Sequence, residues 1–290
     1  MTMIFRSNEE RAAIVAGQRI NVLNFRNLLN SVMSRASSNI GFTLATLNLD
    51  HLVKLRDDEA FRSAYKRMTL VSADGAPVVK LGRRKTPGLE RVAGADIIGP
   101  ICKASAQEGV RVFFFGSSPE RLKAASQILQ AENPGLIICG LEAPPQGFDV
   151  SSQAALECGA RIAASGAQLC FICLGAPKQE LYADRLASLH PNIGFLCVGA
   201  ALDFIAGNPK RAPLFLQQWG LEWTWRLLKE PRRLGWRYAQ CAALFMQLSL
   251  IEQRLAMIEL FRTRVADRRH NTAGAYAGPE RRRSAALNPA

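Results

Sequence analysis

Short apolar runs recur along the chain, and most are followed by a turn and a helical pattern. The runs do not alternate between apolar and polar positions, which is typical of strands buried on both faces of a parallel sheet. They lie at 42–47, 69–72, 110–115, 136–139, 169–174 and 194–198. This pattern predicts an α/β fold with a Rossmann-like, doubly wound parallel sheet that is covered by helices on both faces.

The composition changes after the last of these runs, and the change defines the predicted domains. Residues 1–209 are predicted to form an α/β domain of two halves, with a break near residue 100. Residues 210–262 are rich in Arg, Trp and Leu and predict a helical basic appendage, with one long helix over about 239–262. The last segment, 263–290, has the composition of a disordered basic tail.

The positive charge is concentrated in the C-terminal part of the chain. The 290 residues include 37 Lys and Arg against 24 Asp and Glu, a formal net charge of +13. Residues 210–290 alone carry 15 basic and 6 acidic side chains. Such a segment is suited to nucleic acid, an anionic membrane or phosphate-bearing ligands. The remaining composition is that of a globular protein and excludes a disordered chain, a collagen-like repeat and a coiled coil.

The cysteines and the termini indicate the compartment. Most of the 7 Cys lie in apolar runs, which favours buried thiols in a reducing cytoplasm. Cys170 and Cys173 form a C-x2-C pair inside a strand-like run without a second pair, so core packing is favoured over zinc binding. The N-terminus lacks the apolar core of a signal peptide. The apolar stretch 241–251 is shorter than the roughly 20 residues that span a bilayer, so any membrane contact is expected to be peripheral.

Polar side chains follow several of the predicted strands, where ligands bind in open parallel sheets. Thr46 and Asn48 can hydrogen-bond a ligand or cap the next helix. Asp74 can act as a general base or hold a ribose or a metal, or it can cap a helix or form an Asx-turn. Asp203 can likewise bind a ligand or cap a helix. The residue types alone leave these alternatives open.

The segment after the fifth predicted strand has an unusual composition for a plain turn. Pro177 suits the first turn of a helix, and Lys178 with the helix N-terminus attracts phosphate. Gln179 offers both a donor and an acceptor to a sugar or a uracil edge. Farther along, the basic pair Lys210-Arg211 is suited to pyrophosphate. We therefore favour a ligand-binding function for this part of the chain.

Several common catalytic motifs are absent from the sequence. It contains no Gly-x-Gly-x-x-Gly fingerprint, no P-loop, no Gly-x-Ser-x-Gly elbow and no Asp-x-Asp triplet. The three His are scattered at positions 51, 190 and 270. No tightly bound metal or other cofactor is therefore expected, and the carboxylates, amides and arginines indicate sugar-nucleotide chemistry.

An ordered set of short motifs runs through the chain from about residue 40 to residue 240. The motifs are Thr46-x-Asn48, Ser-Ala-Asp74-Gly75, Arg91-Val-Ala-Gly94-Ala-Asp96, Phe-Phe-Gly116, Leu-Gly175-Ala-Pro-Lys-Gln179-Glu180, Val-Gly199-Ala-Ala-Leu-Asp203-Phe, Arg211-Ala-Pro213 and Gly220-Leu-Glu-Trp223-x-x-Arg226-Leu-Leu-x-Glu-Pro-Arg232-Arg233. Together they resemble the WecG/TagA/CpsF glycosyltransferases, glycosyltransferase family 26. Any one of the motifs is weak, but the ordered set is specific.

The resemblance implies an inverting transfer of a hexosyl group from a UDP-sugar to an undecaprenyl-diphosphate-linked sugar. The donor sugar in the family is N-acetylmannosamine, its uronic acid or glucose, and the product belongs to cell-surface or exopolysaccharide biosynthesis. The implied location is the cytoplasm, peripherally associated with the inner face of the cytoplasmic membrane. No nucleic-acid partner is expected, and the formation of a homo-oligomer stays open.

The resemblance also implies roles for individual residues. Asp74 is the implied general base that deprotonates the acceptor hydroxyl. The implied substrate-binding residues are Thr46, Asn48, Arg91, Asp96, Gln179, Asp203 and Arg211. Positive charge on the departing pyrophosphate is expected from Arg211 and from the appendage residues Arg226, Arg232 and Arg233.

Two other functions are alternatives to this one. A non-enzymatic module that binds nucleic acid or an anionic surface through residues 263–290 would explain the basic tail, but no nucleic-acid-binding motif accompanies it. An NAD-dependent oxidoreductase is disfavoured by the missing glycine fingerprint.

Overall fold

The fold is built around one parallel sheet, seen in a computed structural model that describes residues 12–207, 212–213, 216 and 222–274. The strands in chain order are β1 (Ala13–Val15), β2 (Gln18–Ile20), β3 (Phe42–Leu47), β4 (Leu70–Ala73), β5 (Val112–Gly116), β6 (Ile138–Glu142), β7 (Leu169–Cys173) and β8 (Gly194–Cys197). Strands β1 and β2 form a separate antiparallel hairpin. The other six form a sheet in the order β4-β3-β8-β7-β5-β6, and all of its pairs are parallel.

Each of the six predicted strands is present in this sheet. Strands β3, β4, β5, β7 and β8 are buried at every position, which explains their continuous apolar sequences. Strand β6 is at the edge and is only partly buried. Residue 100, where a break between two halves was predicted, lies inside a helix, and β8 pairs with β3 as well as with β7.

Helices follow the strands and cover both faces of the sheet, as predicted. They are α1 (Phe25–Ser37), α2 (Leu49–Asp57), α3 (Glu59–Arg67), α4 (Ala76–Arg83), α5 (Gly94–Glu108), α6 (Pro119–Glu132), α7 (Gln153–Ala164), α8 (Lys178–Leu189), α9 (Ala201–Ile205), α10 (Glu222–Lys229) and α11 (Pro231–Gly274). One buried cluster joins Phe171 of β7 to side chains of α1, α5, α6 and α9. A second cluster joins Ile172, on the opposite face of the same strand, to side chains of α7 and α8.

The C-x2-C pair is part of this core. Cys170 belongs to the second cluster and Cys173 to the first, because residues three apart in a strand point to opposite faces of a sheet. Both thiols are buried and free, so the predicted core packing is confirmed.

The C-terminal helix is longer than the predicted one. Helix α11 begins at Pro231 and ends at Gly274, so it also includes residues 263–274 of the segment predicted to be disordered. Pro is favoured in the first turn of a helix, and the only Gly before the last residue is Gly235. Residues 275–290 of the predicted tail lie outside the described residues. The described residues up to Phe245 form one compact unit, and those from Met246 onward form a second.

Part of α11 has the length and composition of a membrane-spanning helix. Among the described residues, this holds for one stretch, Pro231–Ile258, of which 11% is buried in its most apolar window. The continuous apolar run 241–251 is only part of this stretch, because the helix carries further apolar residues on both sides of that run. Length and composition alone do not distinguish a helix that crosses a bilayer from one that lies on it.

Candidate active site

The carboxyl ends of β4, β3 and β8 form the edge at which most of the predicted site residues lie. The three strands are adjacent and parallel, so their carboxyl ends are side by side. Thr46 near the end of β3 is opposite Ser72 of β4 and is buried. The backbone N–H of Asp74 donates to the carbonyl oxygen of Leu47 at 2.7 Å, which connects the two strand ends directly.

Asp74 is half-buried immediately after β4. The N-cap of the next helix, α4, is Gly75 with a φ of 91°, so Asp74 is not the capping residue. A positive φ at Gly75 is accessible because glycine has no Cβ, and it turns the chain sharply after the carboxylate. The sequence alternative in which Asp74 caps the helix is therefore not observed.

Asn48 does act as a helix cap. Its side-chain oxygen accepts a hydrogen bond from the backbone N–H of His51 at 3.0 Å, at the start of α2. This is the capping alternative that the sequence left open. Its side-chain NH₂ group can still donate to a ligand, since a cap of this kind uses only the carbonyl oxygen.

Arg91 and Asp96 lie beside the same edge and form an ion pair. Their closest nitrogen and oxygen atoms are 2.8 Å apart, and each side chain is 31% exposed. The intervening Val92 donates its backbone N–H to Ala73 of β4 at 2.8 Å. Gly94 begins α5 so close to the end of β8 that a Cβ there would be 3.0 Å from Val198 Cα. The N-terminus of α5 thus borders the edge formed by β4, β3 and β8.

Gln179 belongs to a buried polar cluster at the start of α8. Its Oε1 accepts the backbone N–H of Gly199 at 2.9 Å, and its Nε2 donates to Glu180 Oε1 at 2.7 Å. Both side chains are buried, and Glu180 Oε1 is 3.8 Å from His51 Nε2. His51 Nδ1 is 3.2 Å from the Tyr65 hydroxyl.

Burial shifts the ionisation of this cluster. It raises the pKa of Glu180 to about 7, because an apolar environment disfavours the carboxylate. It lowers the pKa of His51 to about 3, because the imidazolium is disfavoured in the same way. The sequence predicted no role for Glu180 or His51, because Glu180 was only part of a motif and His51 was one of three scattered His.

Asp203 lies in a second group, near the end of β5. It accepts a hydrogen bond from Ser117 Oγ, and its carboxylate is 3.4 Å from Arg121 Nη1. Ser117 has a φ of 61°, a conformation that is uncommon for a residue other than Gly. Arg121 is a partly exposed cation in the first turn of α6, and no role for it was predicted from the sequence.

The predicted appendage arginines are only partly described. Arg211 and the side chain of Arg226 lie outside the described residues. Arg232 is exposed, and Arg233 is an exposed side chain that pairs with Glu230 in the preceding turn. None of the described contacts of these residues connects them to the strand ends.

A different arginine links the C-terminal helix to the site. Arg237 Nε is 3.1 Å from Asp50 Oδ1, and Lys54 Nζ donates to Asp50 Oδ2 at 2.8 Å. The same Lys54 Nζ donates to the carbonyl oxygen of Ala176 at 2.7 Å, in the loop before α8. Asp50 and Lys54 of α2 thus connect this helix to α11 and to the loop before Gln179. The sequence shows an Arg at this position but cannot show its partner.

The edge of the sheet combines a carboxylate, amides and cations. Asp74 can accept a proton, whereas Arg91, Arg121 and the N-termini of the helices can stabilise negative charge. Within the described part of the chain, no three His, Cys, Asp or Glu side chains are grouped as they would be to hold a metal ion.

One comparison with known protein families matches this chain. A family model described as "Glycosyl transferase WecG/TagA/CpsF family" matches residues 13–258. The match covers most of the chain, including the whole sheet and every site residue described above.

Proposed function

Because the chain belongs to the WecG/TagA/CpsF glycosyltransferase family, we propose that it is an inverting transferase that uses a UDP-sugar. It moves a hexosyl group, either N-acetylmannosamine, its uronic acid or glucose, to an undecaprenyl-diphosphate-linked sugar. The product is an intermediate of a cell-surface polysaccharide, such as an exopolysaccharide. Family membership supports a sugar donor and a lipid-linked acceptor in general, and the choice of these substrates is our proposal.

The observation that carries the proposal is the half-buried Asp74 at the carboxyl edge of β4. An inverting transfer needs one base, which removes the proton from the acceptor hydroxyl while that oxygen attacks the anomeric carbon. Thr46 lies on the neighbouring strand, and the Arg91–Asp96 pair lies beside the same edge. We assign Asp74 the role of base and Thr46, Asn48, Arg91, Asp96, Gln179 and Asp203 roles in holding the substrates.

The departing UDP carries negative charge that the protein must stabilise. We propose that Arg91 and Arg121 contribute at the strand ends, because both are partly exposed cations beside predicted substrate-binding carboxylates. Arg211, Arg226, Arg232 and Arg233 remain candidates from the appendage. This arrangement requires no metal ion for the leaving group.

We also propose that the protein acts in the cytoplasm at the inner face of the membrane, where a lipid-linked acceptor is available. The support is the exposed apolar surface of α10 and α11 together with their basic residues. Large apolar side chains that are more than 40% exposed there are Trp223, Leu228, Trp236, Met246, Leu250, Ile251, Leu255, Met257 and Ile258. Trp and Arg side chains are favoured at the boundary between headgroups and acyl chains.

The function is tested by incubating the protein with each UDP-sugar and a polyprenyl-diphosphate-linked sugar acceptor. We expect release of UDP and formation of a lipid-linked disaccharide with at least one of the three donors, and with none of them in the absence of acceptor. Nuclear magnetic resonance of the product is expected to show inversion at the anomeric carbon. Failure of all three donors, or retention of configuration, would contradict the proposal.

Membrane association is tested with one substitution in α11. Leu250→Glu removes an exposed apolar side chain and adds a negative charge, so we expect it to weaken binding to anionic phosphatidylglycerol vesicles about 10- to 100-fold. The matched control is Gln253→Glu, which adds the same charge to the same helix without removing apolar surface. Co-sedimentation gives the partition coefficient. Equal loss of binding in both variants would indicate that charge alone, and not the apolar surface, holds the protein on the vesicle.

A further inference from the structure

The amide of Gln179 lies between two groups of opposite hydrogen-bonding character. On one side, the backbone N–H of Gly199 donates to Gln179 Oε1 at 2.9 Å, and a backbone N–H can only donate. On the other side is Glu180 Oε1, 2.7 Å from Gln179 Nε2. An ionised carboxylate can only accept. The two neighbours therefore permit a single orientation of the amide, with its NH₂ group toward Glu180 and its oxygen toward Gly199.

We propose that Glu180 is a positioning residue for the transfer reaction, which acts by holding the amide of Gln179 in this one orientation. The proposal rests on the transferase function proposed above. Glu180 itself is fully buried and does not contact solvent, so its role is carried by Gln179. The two hydrogen bonds leave one N–H and one lone pair of the amide for a further partner.

The orientation matters because Gln179 holds the turn that follows β8. Gly199 is the second residue after that strand and has a φ of 60°, and the turn continues into α9 with Asp203. The preceding Val198 packs against Gly94 at the N-terminus of α5. If the amide rotated, the N–H of Gly199 would face an NH₂ group, and the turn would lose its acceptor.

A buried carboxylate at this position is costly, so stability alone does not explain it. Glu180 Oε2 is buried without a hydrogen-bond partner among the residues that the structure describes. A buried polar atom left in this way destabilises the folded state, and the cost is larger when the atom is charged. A Gln of nearly the same size would avoid the charge. A residue that makes the folded protein less stable than an alternative would is expected where function requires that residue.

The acceptor-only character of Glu180 depends on pH. Burial raises its pKa to about 7, so above this pH it is a carboxylate and dictates the orientation of Gln179. Below this pH it gains an O–H that can donate to the amide oxygen, so Glu180 no longer opposes the rotated amide and only the N–H of Gly199 favours the observed orientation. The charged or titratable groups that face Glu180 are Asp50, His51 and Lys54 of α2, Tyr65 of α3, and Cys197 of β8. His51 stays neutral throughout this range, because its pKa is lowered to about 3.

A double-mutant cycle tests whether Glu180 acts through Gln179. The four proteins are the wild type, Glu180→Gln, Gln179→Ala and the double variant, and the readout is kcat/KM for the UDP-sugar that the wild type uses. We expect Glu180→Gln to lower kcat/KM about 10-fold at pH 8 in the wild-type background and less than 2-fold in the Gln179→Ala background. Equal fold-changes in the two backgrounds would show that Glu180 does not act through Gln179 and would overturn the proposal.

The pH dependence supplies a second readout that a purely structural role would not change. The ratio of wild-type to Glu180→Gln activity is expected to approach 1 at pH 6 and to rise to its full value at pH 8. The matched control is Asp184→Asn, which removes a carboxylate from the same helix where it pairs with the exposed Arg67. Its ratio is expected to stay below 2 at every pH. A ratio for Glu180→Gln that does not change with pH would overturn the proposal.

The Tm values of the wild type and Glu180→Gln, measured by thermal unfolding, supply a third readout. Because Glu180→Gln removes a buried charge, its Tm at pH 8 is expected to equal or exceed that of the wild type. A lower Tm would assign Glu180 a structural role and would overturn the proposal. Absence of transfer by the wild type would instead contradict the proposed function, so the two failures are distinguishable.

Discussion

Asp74→Asn is expected to lower kcat for sugar transfer by about 10²- to 10⁴-fold, the usual contribution of a general base. Asn has the same shape as Asp but cannot accept the proton of the acceptor hydroxyl at neutral pH. The backbone hydrogen bond from residue 74 to Leu47 does not involve the side chain, so the strand ends are expected to stay in place. The initial rate of UDP release at saturating donor and acceptor measures the effect.

The matched control for this variant is Asp58→Asn. Asp58 caps α3 by accepting the backbone N–H of Phe61 at 2.8 Å, and Asn is an equally good cap. We expect Asp58→Asn to change kcat less than 2-fold. We also expect the KM for the donor to change little in Asp74→Asn, because the lost interaction belongs to the transition state. If Asp74→Asn keeps more than a tenth of the wild-type kcat, the base is a different residue.

Gly116→Ala is expected to destabilise the folded protein by about 4 kcal/mol, through strain and overpacking together. Gly116 ends β5 with a φ of 109°, which side chains other than that of glycine rarely adopt. A Cβ there would also be 2.6 Å from the carbonyl carbon of Cys173 and closer still to its oxygen. These atoms belong to the paired strand β7 and cannot move without disturbing the sheet. The free energy of unfolding from urea titrations measures the effect.

Gly235→Ala is the control that separates strain from the change in residue type. Gly235 lies inside α11, and a Cβ there would meet no atom within 4 Å beyond its own helix backbone. Ala is favoured over Gly in a helix, so we expect this variant to be about 0.5–1 kcal/mol more stable than the wild type. A Gly116→Ala variant within 1 kcal/mol of the wild type would show that β5 and β7 are not so close in solution.

The strands of the sheet could be predicted because burial on both faces requires apolar residues at successive positions of the sequence. A strand such as β3, Phe42–Leu47, has no position at which a polar residue is exposed, so its apolar run is continuous. The hairpin of β1 and β2 was not predicted, because three-residue strands are too short to show a periodic pattern. The order of the strands was also inaccessible, because the pairing of β3 with β8 joins segments about 150 residues apart.

The residues of the candidate site likewise include some that the sequence could predict and some that it could not. Asp74 and Thr46 could be selected because each lies at the end of a predicted strand, where ligands bind. Glu180 and His51 could not, since only the packing of α8 against α2 and α3 shows that they are buried together. The contact between Asp50 and Arg237 likewise depends on where the C-terminal helix packs. Sequence position shows which residue types are available, and tertiary packing decides which of them meet.

The place of β8 between β3 and β7 has a consequence for how the protein is synthesised. Both neighbours of β8 precede it in the chain, so β3 and β7 emerge from the ribosome before the strand that joins them. Until residue 197 is available, each of them presents an unpaired and strongly apolar edge, which is a site for aggregation. The edge of β3 thus stays unpaired from residue 47 to residue 197, and that of β7 from residue 173 to residue 197. Chaperones that bind extended apolar segments are expected to act during this part of translation.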